Sequence, residues 1–351
     1  IMEQGRKHFL ELLGLSFQNC KLHLIDRGIL ATYYAHTDPD AWQALLEAGW
    51  IGSGFRVSNA FPIATESPER RIARGKLSLD TSIVVVWRKG TSGIANVSDL
   101  YNDAIQLAKD RASQLIKRGC VGSDLLVGTL AAVLSSFTKY KQLYGPSGEL
   151  GLDVLLSYHV YPLTARAIAV AISREAGAAG EVRSPEALFY LLAKVLFGKI
   201  AVTGRKSFDR SNLAILTIAT RTDSKNLVEK SIVARPKGLS KGEGFVLFDP
   251  LATRHRDLEE FLQERGLNPR DPEPRNAVDA LHILEYWGST LSAKQFTEKY
   301  AELTNGHVSL VDEARILAIV LSKVLPDTDA EKELCKQAVE KIYGASLERY
   351  V

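Results

Sequence analysis

A loop between residues 63 and 79 holds the side chains of this chain that are best suited to binding a polar ligand. It carries acidic and basic groups close together, namely Glu66, Glu69, Arg70, Arg71, Arg74 and Lys76. Arginine forms bidentate hydrogen bonds with phosphate and carboxylate groups, so Arg70 and Arg71 are candidate phosphate contacts. The alternative is a solvated loop whose charges, including those of Glu66 and Arg74, form salt bridges with one another.

Three apolar runs around this loop are predicted to be β-strands. Ile29–Ala35, Phe55–Pro62 and Ser82–Trp87 are short and rich in β-branched or aromatic residues. A helix is predicted over 38–49, because an Asp-Pro pair starts this segment and a glycine ends it. The order β, α, β, loop, β predicts the second half of a doubly wound α/β sheet, and the chain after it is predicted to be mostly α.

Connectivity places the polar loop at one edge of this sheet. If 29–35 and 55–62 are adjacent parallel strands joined by a right-handed crossover, both end at the carboxyl edge, where open α/β sheets bind ligands. His36 follows the first strand there, as either a ligand-side residue or a structural residue before the helix. The strand 82–87 must begin at that edge and run antiparallel, between or beside the other two.

Bulk properties predict an ordinary soluble protein. The chain has 351 residues and a formal net charge of +3, which indicates two or three domains and only weakly favours a polyanionic partner. We find no apolar run near the roughly 20 residues of a bilayer span, and the segment IMEQGRKHF lacks a signal-peptide pattern. We therefore expect a cytoplasmic protein. Ile1 precedes the only methionine, Met2, which suggests an altered N-terminus or a piece of a longer chain.

The cysteines do not predict a metal site. Cys20, Cys120 and Cys335 are far apart and form no C-x-x-C pair, so we expect free thiols and no metal bound by this chain.

Four parts are predicted along the chain: a half-sheet domain over 1–92, a helical domain over 93–207, a possible winged-helix module over 208–250 and a helical region over 251–351. Periodicity and capping residues place helices over 3–18, 98–117, 123–144, 152–175, 184–197, 256–265, 276–287, 292–304, 309–324 and 328–343.

Residues 208–250 combine two short helices with two predicted strands, 231–234 and 244–248, which is the element order of a winged helix. Basic side chains are concentrated there, at Lys225, Lys230, Arg235, Lys237 and Lys241. Such side chains suit contacts with DNA phosphates, which position a protein without selecting a base sequence. The alternative is a module that serves only for packing.

Several segments resemble one family. GILATYYAHTDPDAWQALLEAG, FRVSNAFPIATES and ARGKLSLDTSIVVVWRK look like the late methyltransferase segments of a large adenine-specific DNA methylase family, which belongs to the class I S-adenosylmethionine-dependent methyltransferases. Its archaeal and bacterial members also carry a zinc ribbon and a helical C-terminal region. GSDLLVGTLAAVLSSFTKYKQLYG and ALHILEYWG are similar to later segments of that family. The resemblance is strongest over 27–89 and weakest over 150–250.

The resemblance implies methyl transfer from S-adenosylmethionine to the exocyclic amine of an adenine flipped out of double-stranded DNA. Pro62, Thr65 and Glu66 match the family's Pro-x-x-Thr-Glu pattern, and Arg74 and Ser82 match later positions. It follows from the resemblance that Arg74 contacts phosphate or orients Glu66. Together with the sheet-edge residue, the substrate-side candidates are His36, Thr65, Glu66, Arg74 and Ser82.

The chain also departs from the family. The catalytic Asp/Asn-Pro-Pro-Tyr/Phe tetrapeptide, the cofactor-binding glycine loop and the zinc ribbon are absent from the sequence. Gly52-Ser53-Gly54 precedes a strand instead of following one, and Asp249-Pro250 lacks the second proline and the aromatic residue. We therefore expect S-adenosylmethionine to be bound mainly by a missing N-terminal half, encoded in the same gene or in a partner chain. The family suggests a restriction-modification setting.

Two alternatives stay open. The chain could be a non-catalytic DNA-binding or scaffold subunit of a modification or defence complex, whose half-sheet binds a methylase partner. It could also belong to a class I methyltransferase that acts on RNA or protein.

Overall fold

The structure is a computed structural model, in which the contacts divide the chain into two compact units, Ile1–Ile168 and Ala169–Val351. The division into four parts stays a prediction. The described residues are 2–34, 39–64, 81–196, 207–208, 210–235 and 244–348.

The first unit contains the predicted three-stranded sheet. Its strands are β1 (Ile29–Tyr34), β2 (Phe55–Ala64) and β3 (Thr81–Lys89), in the spatial order β1-β3-β2. β3 pairs antiparallel with both neighbours, so β1 and β2 run parallel to each other. The antiparallel direction of the last strand is confirmed. The premise that the two parallel strands are adjacent is wrong, because β3 lies between them.

One face of this sheet packs on the first helix, α1 (Met2–His23). Phe17 of α1 is buried, and its ring lies edge-on to Trp87 of β3 and Phe55 of β2, with ring centroids 5.2 and 6.0 Å apart. The same face buries further side chains of β2 and β3: Val57, Ala60, Ile83 and Val85. Burial of these apolar groups drives the association of α1 with the sheet.

The helix between β1 and β2 ends differently from the prediction. α2 spans Pro39–Leu46 and continues into a π-helical turn, Glu47–Ile51. Gly49, the predicted C-terminal cap, lies inside that turn. A Cβ atom on it would stand 2.9 Å from the rings of Phe17 and Trp87, so glycine is required here by close packing.

Two antiparallel helices complete most of the first unit. α3 (Val97–Lys117) and α4 (Gly122–Phe137) pack together, and α4 packs against β2. The pairing of β2 with β3 shifts register between Val57 and Asn59, which marks a bulge. The backbone N–H of Val57 donates to Oγ1 of Thr138, at 3.0 Å, just after α4 ends. The backbone N–H of Val57 at the bulge therefore has a hydrogen-bond partner.

A small second sheet was not predicted from the sequence. β4 (Ile94–Asn96) pairs parallel with β5 (Gln142–Gly145), which pairs antiparallel with β6 (Gly148–Glu149). The helix predicted over 123–144 is therefore too long, because the chain after Phe137 forms β5 and pairs with β4. This is a case in which tertiary pairing outweighs helix propensity.

The apolar helical region predicted over 152–175 is confirmed. It comprises α5 (Leu152–Leu155), a π-helical turn (Leu156–Val160) and α6 (Tyr161–Glu175), and the division between the units falls within α6. Contrary to our expectation from the sequence, this helix is long and apolar enough to cross a membrane by length and composition. Since 72% of its most apolar window is buried inside the protein, it has the character of a core helix of a soluble protein.

The second unit begins with helices and a three-stranded sheet of order β7-β9-β8, in which both pairings are antiparallel. The helix, turn, helix, hairpin order predicted for 208–250 is observed, with β7 as an additional strand. These elements are α7 (Pro185–Leu196), β7 (Ser207–Phe208), α8 (Arg210–Thr220), α9 (Ser224–Glu229), β8 (Val233–Ala234) and β9 (Phe245–Leu247).

Four helices form the rest of the second unit: α10 (His255–Glu264), α11 (Ala277–Thr290), α12 (Ala293–Val324) and α13 (Ala330–Glu348). The helices predicted over 292–304 and 309–324 form one continuous element, α12. Its backbone leaves helical geometry at His307, where φ is −140° and ψ is 46°, so the predicted break survives as a kink. α11, α12 and α13 pack against one another and enclose most of the buried polar groups discussed below.

Gly49→Ala should destabilise the first unit by about 1–3 kcal/mol, because the added methyl group overpacks the site between Phe17 and Trp87. Gly14→Ala is the matched control, since a Cβ on Gly14 in α1 meets nothing within 4 Å. It should be neutral or stabilising by up to about 1 kcal/mol through helix propensity. Urea unfolding of both variants measures the difference, and equal stabilities would contradict the packing argument.

Candidate functional site

Most of the predicted substrate-side residues lie outside the described residues, and their roles stay predictions. These are His36, Thr65, Glu66 and Arg74. The same holds for four of the DNA-contact candidates, Arg70, Arg71, Lys237 and Lys241. Ser82 is placed in β3, where its backbone is in register with Ile63 of β2.

The strand ends that carry these segments do lie together. Ala64, the last residue of β2, is in register with Thr81, the first residue of β3, and Tyr34 at the end of β1 is in register with Ile83. Segments 35–38 and 65–80 therefore both leave the sheet at the same end. The strands are therefore arranged as predicted, because β1 and β2 end at the same edge of the sheet.

The sheet has an open edge and a partly exposed apolar face, on which the guanidinium of Arg111 in α3 lies 5.6 Å from the ring centroid of Phe61. β1 is an outer strand, and no strand among the described residues pairs with its other side. Tyr33 and Phe61 are both in register with Val84, so they share one face, with Ile29 and Ile63 at alternate positions. Those four side chains are exposed, Tyr33 by 70%. We call the outer edge of β1 together with Ile29, Tyr33, Phe61 and Ile63 the open sheet surface.

The helix α1, which precedes β1 in the sequence, also carries an apolar stripe. Phe9, Leu12, Leu15 and Leu22 recur at spacings of three and seven residues, which places them on one side of the helix, away from the buried Phe17. All four are exposed, between 50% and 78%. Large apolar side chains that are exposed as a group indicate an interaction site.

Two predicted DNA-contact residues are available at the surface of the second unit. Lys225 is exposed and lies 3.8 Å from Glu229 one helical turn later, an ion pair that water and salt screen. The guanidinium of Arg235 lies over the ring of Phe245, 4.9 Å from its centroid. This cation–π contact holds the arginine beside the hairpin strand β9.

Lys230 has a structural partner. Its ammonium forms an ion pair with Glu186 of α7, and both side chains are largely shielded from solvent. The side chain that was proposed for DNA therefore connects α9 to α7 in this structure.

The most polar part of the described core surrounds Lys194 of α7. Its Nζ lies 2.8 Å from Oδ2 of Asp249, 2.8 Å from Oδ2 of Asp329 and 2.7 Å from Oε2 of Glu331. The lysine side chain is fully buried, and Asp249 and Glu331 are buried with it. We call these four residues the lysine cluster.

The carboxylates keep this lysine charged. Burial by itself lowers the pKa of Lys194, but Glu331, Asp249 and Asp329 outweigh it and raise the pKa well above its usual value. Tyr190, one turn earlier in α7, donates from its hydroxyl to Oε1 of Glu331, at 2.6 Å. Burial and the neighbouring carboxylates raise the pKa of Tyr190 well above its usual value, so it stays a neutral donor.

A histidine–carboxylate group adjoins the lysine cluster. Nδ1 of His282 lies 2.9 Å from Oε2 of Glu285, and Sγ of Cys335 lies 3.1 Å from Oε1 of the same carboxyl. Burial raises the pKa of Glu285 and of Cys335 well above their usual values, and Glu331 contributes to both shifts. Burial, with Arg265 and Lys194, lowers the pKa of His282. The imidazole and the thiol are therefore uncharged near neutral pH.

A second buried ion network holds the 208–250 segment to α11. Arg265 is fully buried and donates from Nη2 to Oδ1 of Asp279, at 2.7 Å, while Arg275 donates from Nε to Oδ2 of the same carboxylate, at 2.8 Å. Nη1 of Arg265 donates to the carbonyl oxygens of Ser231 and Phe248, which flank strands β8 and β9.

Sequence analysis did not identify these buried groups. Two signals were present: a lysine within the apolar helix sequence EALFYLLAKVL, and a His-x-x-Glu pair in α11 whose spacing puts both residues on one helix face. Asp249, which we had considered only as an incomplete catalytic tetrapeptide, is an ionic partner of Lys194.

The described residues do not fit S-adenosylmethionine. Among the described residues, none of the strands β1, β2 and β3 is followed by a glycine-rich loop that opens a helix, and Gly54, at φ +66°, lies in the turn before β2. Comparison with known proteins found no matching family model, curated protein or solved structure.

Lys194→Met should destabilise the protein by about 3 kcal/mol or more, because it leaves three carboxyl groups, two of them buried, without their shared cation. Lys225→Met is the matched control. Lys225 is exposed, so its loss should change the free energy of unfolding by no more than about 0.5 kcal/mol. Denaturant unfolding followed by circular dichroism measures both. Similar small effects would show that the lysine cluster does not stabilise the fold.

Proposed function

We propose that this chain is the C-terminal part of a site-specific DNA adenine methyltransferase. In this proposal it supplies the substrate-side wall of the active site, followed by a DNA-recognition or assembly region, in a cytoplasmic modification or defence system. The observation that carries the proposal is the sheet β1-β3-β2, with its antiparallel central strand and its open sheet surface.

The strand arrangement supports a half-sheet. Two parallel strands with an antiparallel strand inserted last fit the way in which the resemblance implies that a class I methyltransferase sheet ends. Here one face packs on α1 while Tyr33 and Phe61 of the other remain exposed, and the outer side of β1 has no strand partner among the described residues.

These features suit a partner that supplies the cofactor-binding half of the sheet. A strand added beside β1 would satisfy the free backbone groups of that strand and extend the sheet. A helix that accompanies the added strand would cover the stripe formed by Phe9, Leu12, Leu15 and Leu22. The substrate-side candidates Thr65, Glu66 and Arg74 follow β2 in the sequence. The strands β1 and β2 end at the same end of the sheet.

The test is methyl transfer by the chain produced together with the cofactor-binding half, in one reading frame or as a partner chain. With methyl-labelled S-adenosylmethionine, we expect label on adenine in double-stranded DNA and none on RNA or protein. Glu66→Gln and Arg74→Ala should lower the rate at least tenfold while cofactor binding is unchanged. Label found only on RNA or protein would replace the proposal with another class I methyltransferase.

The apolar stripe of α1 is tested in the same assay. Leu12→Glu should abolish both association with the cofactor-binding half and methyl transfer, because it places a charge on the apolar stripe. Val308→Glu is the matched control, because Val308 is an exposed apolar residue of α12 in the second unit. Association that survives Leu12→Glu would contradict this way of completing the sheet.

A non-catalytic DNA-binding or scaffold subunit is the second candidate. It is favoured by the absence of the catalytic tetrapeptide from the sequence and by the poor fit of the described residues to the cofactor. In that case the chain would bind DNA and a methylase partner that is already complete. Substitution of Glu66 and Arg74 would then leave methyl transfer unchanged.

Residues 208–250 are proposed to contact DNA phosphates through their basic side chains. A double variant, Lys237→Glu with Lys241→Glu, should weaken binding to double-stranded DNA and reduce the slope of log affinity against log salt by about 2. The matched control is Lys323→Glu with Lys336→Glu, two exposed lysines of α12 and α13 that change the net charge equally. Fluorescence anisotropy across a salt series measures both. Equal losses in the two double variants would indicate a general charge effect.

A further inference from the structure

Three potential metal ligands lie together in the core of the second unit. His282 and Glu285 are three residues apart on α11, and Glu331 lies in the first turn of α13. One ligand atom from each can be chosen so that all lie within 4.8 Å of one another. Ligands about 2.0–2.2 Å from a tetrahedral ion stand roughly 3.3–3.6 Å apart, so small side-chain shifts would close the site.

These ligands are held in position by hydrogen bonds. Tyr190 donates to Oε1 of Glu331 and Cys335 donates to Oε1 of Glu285. Donors that orient ligating carboxylates are a regular part of protein metal sites. All five side chains are buried, so their geometry is fixed by the packing of α7, α11 and α13.

A second, independent observation concerns the imidazole. The His282 side chain is fully buried, and its Nε2 has no hydrogen-bond partner among the described residues. The ring lies edge-on to the aromatic rings of Tyr190 and Phe261, at 5.4 and 5.0 Å. Within the described part of the chain, the imidazole has a polar contact through Nδ1 with Glu285. A metal ion at Nδ1 would fix the tautomer and leave the Nε2 proton against aromatic rings.

Charge balance favours a cation at the same place. With all carboxyl groups ionised, Lys194 supplies one positive charge against the negative charges of Asp249, Asp329, Glu331 and Glu285. Uncompensated buried charge is strongly unfavourable, so the excess must be balanced by protons or by a bound cation. The ammonium of Lys194 contacts Asp249, Asp329 and Glu331. Glu285 instead contacts His282 and Cys335.

We propose that His282, Glu285 and Glu331 bind one divalent transition-metal ion in the core of the second unit. One imidazole and two carboxylates suit Zn²⁺, Mn²⁺ or Fe²⁺. Binding would replace the protons of this group, and the ion would join α11 to α13 as the chain folds. This revises our expectation from the cysteines that the chain binds no metal, and it is independent of the proposed methyltransferase function.

The test is the metal content of the full chain, purified without chelators from cells grown in medium with added zinc, manganese and iron. We expect about one equivalent of a single metal per chain by mass spectrometry. Protein from cobalt-supplemented cells should show the visible absorption of protein-bound Co²⁺. Chelation should lower the unfolding temperature, and the added metal should restore it. A folded wild-type chain with less than a tenth of an equivalent of any of these metals overturns the proposal.

Substitutions can distinguish the proposed metal ligands from the side chains beside them. His282→Gln and Glu285→Gln should weaken metal binding at least tenfold. Cys335→Ser is the matched control at the same site, because a serine hydroxyl can still donate to Glu285, and it should keep the metal. Retention of the metal by both ligand variants, or its loss in Cys335→Ser alone, would assign the ion to other residues.

Discussion

The second unit depends on keeping one fully buried ammonium in balance with carboxylates from distant parts of the chain. Lys194 lies on α7, Asp249 follows β9, and Asp329 and Glu331 begin α13. None of these charges could be buried alone, because transfer of a lone ion from water to the protein interior costs several kcal/mol after relaxation. The three segments must therefore assemble together. The buried ion pair of Arg265 and Asp279 connects β8 and β9 to α11 in the same way. The 208–250 segment is therefore fixed by ionic contacts as well as by its own apolar core.

Local patterns predicted most of the secondary structure. The strands at 29–34, 55–64 and 81–89 were recognisable because β-branched and aromatic runs are bounded by turn residues, and connectivity alone required the last strand to be antiparallel. The failures have a common cause in long-range contacts. β5 was interpreted as the end of a helix, since its pairing with β4 lies almost fifty residues back in sequence. Gly49 was interpreted as a cap, although its role is to admit the rings of Phe17 and Trp87.

The buried polar groups were beyond prediction for a similar reason. A lysine in an apolar helix is visible in the sequence, but its partners are 55 to 137 residues away, and no spacing rule connects them. The pair His282 and Glu285 has helical spacing, yet its third neighbour comes from α13 through packing alone. For the apolar stripe of α1, by contrast, the pattern is visible in the sequence, but it does not reveal whether the side chains are buried. Phe9, Leu12 and Leu15 look like core residues by pattern, and only the structure shows that they remain exposed while Phe17 is buried.

The central position of β3 has a consequence for the order of folding. β1 and β2 each pair with β3 and not with each other, so neither gains its ladder of hydrogen bonds until β3 is available. During synthesis from the N-terminus, β1 and its flanking apolar groups must wait until residues 81–89 have been made. Such late, non-local strand pairing is slow and leaves strand edges exposed in the meantime. The nascent chain is therefore most vulnerable to aggregation before β3 emerges.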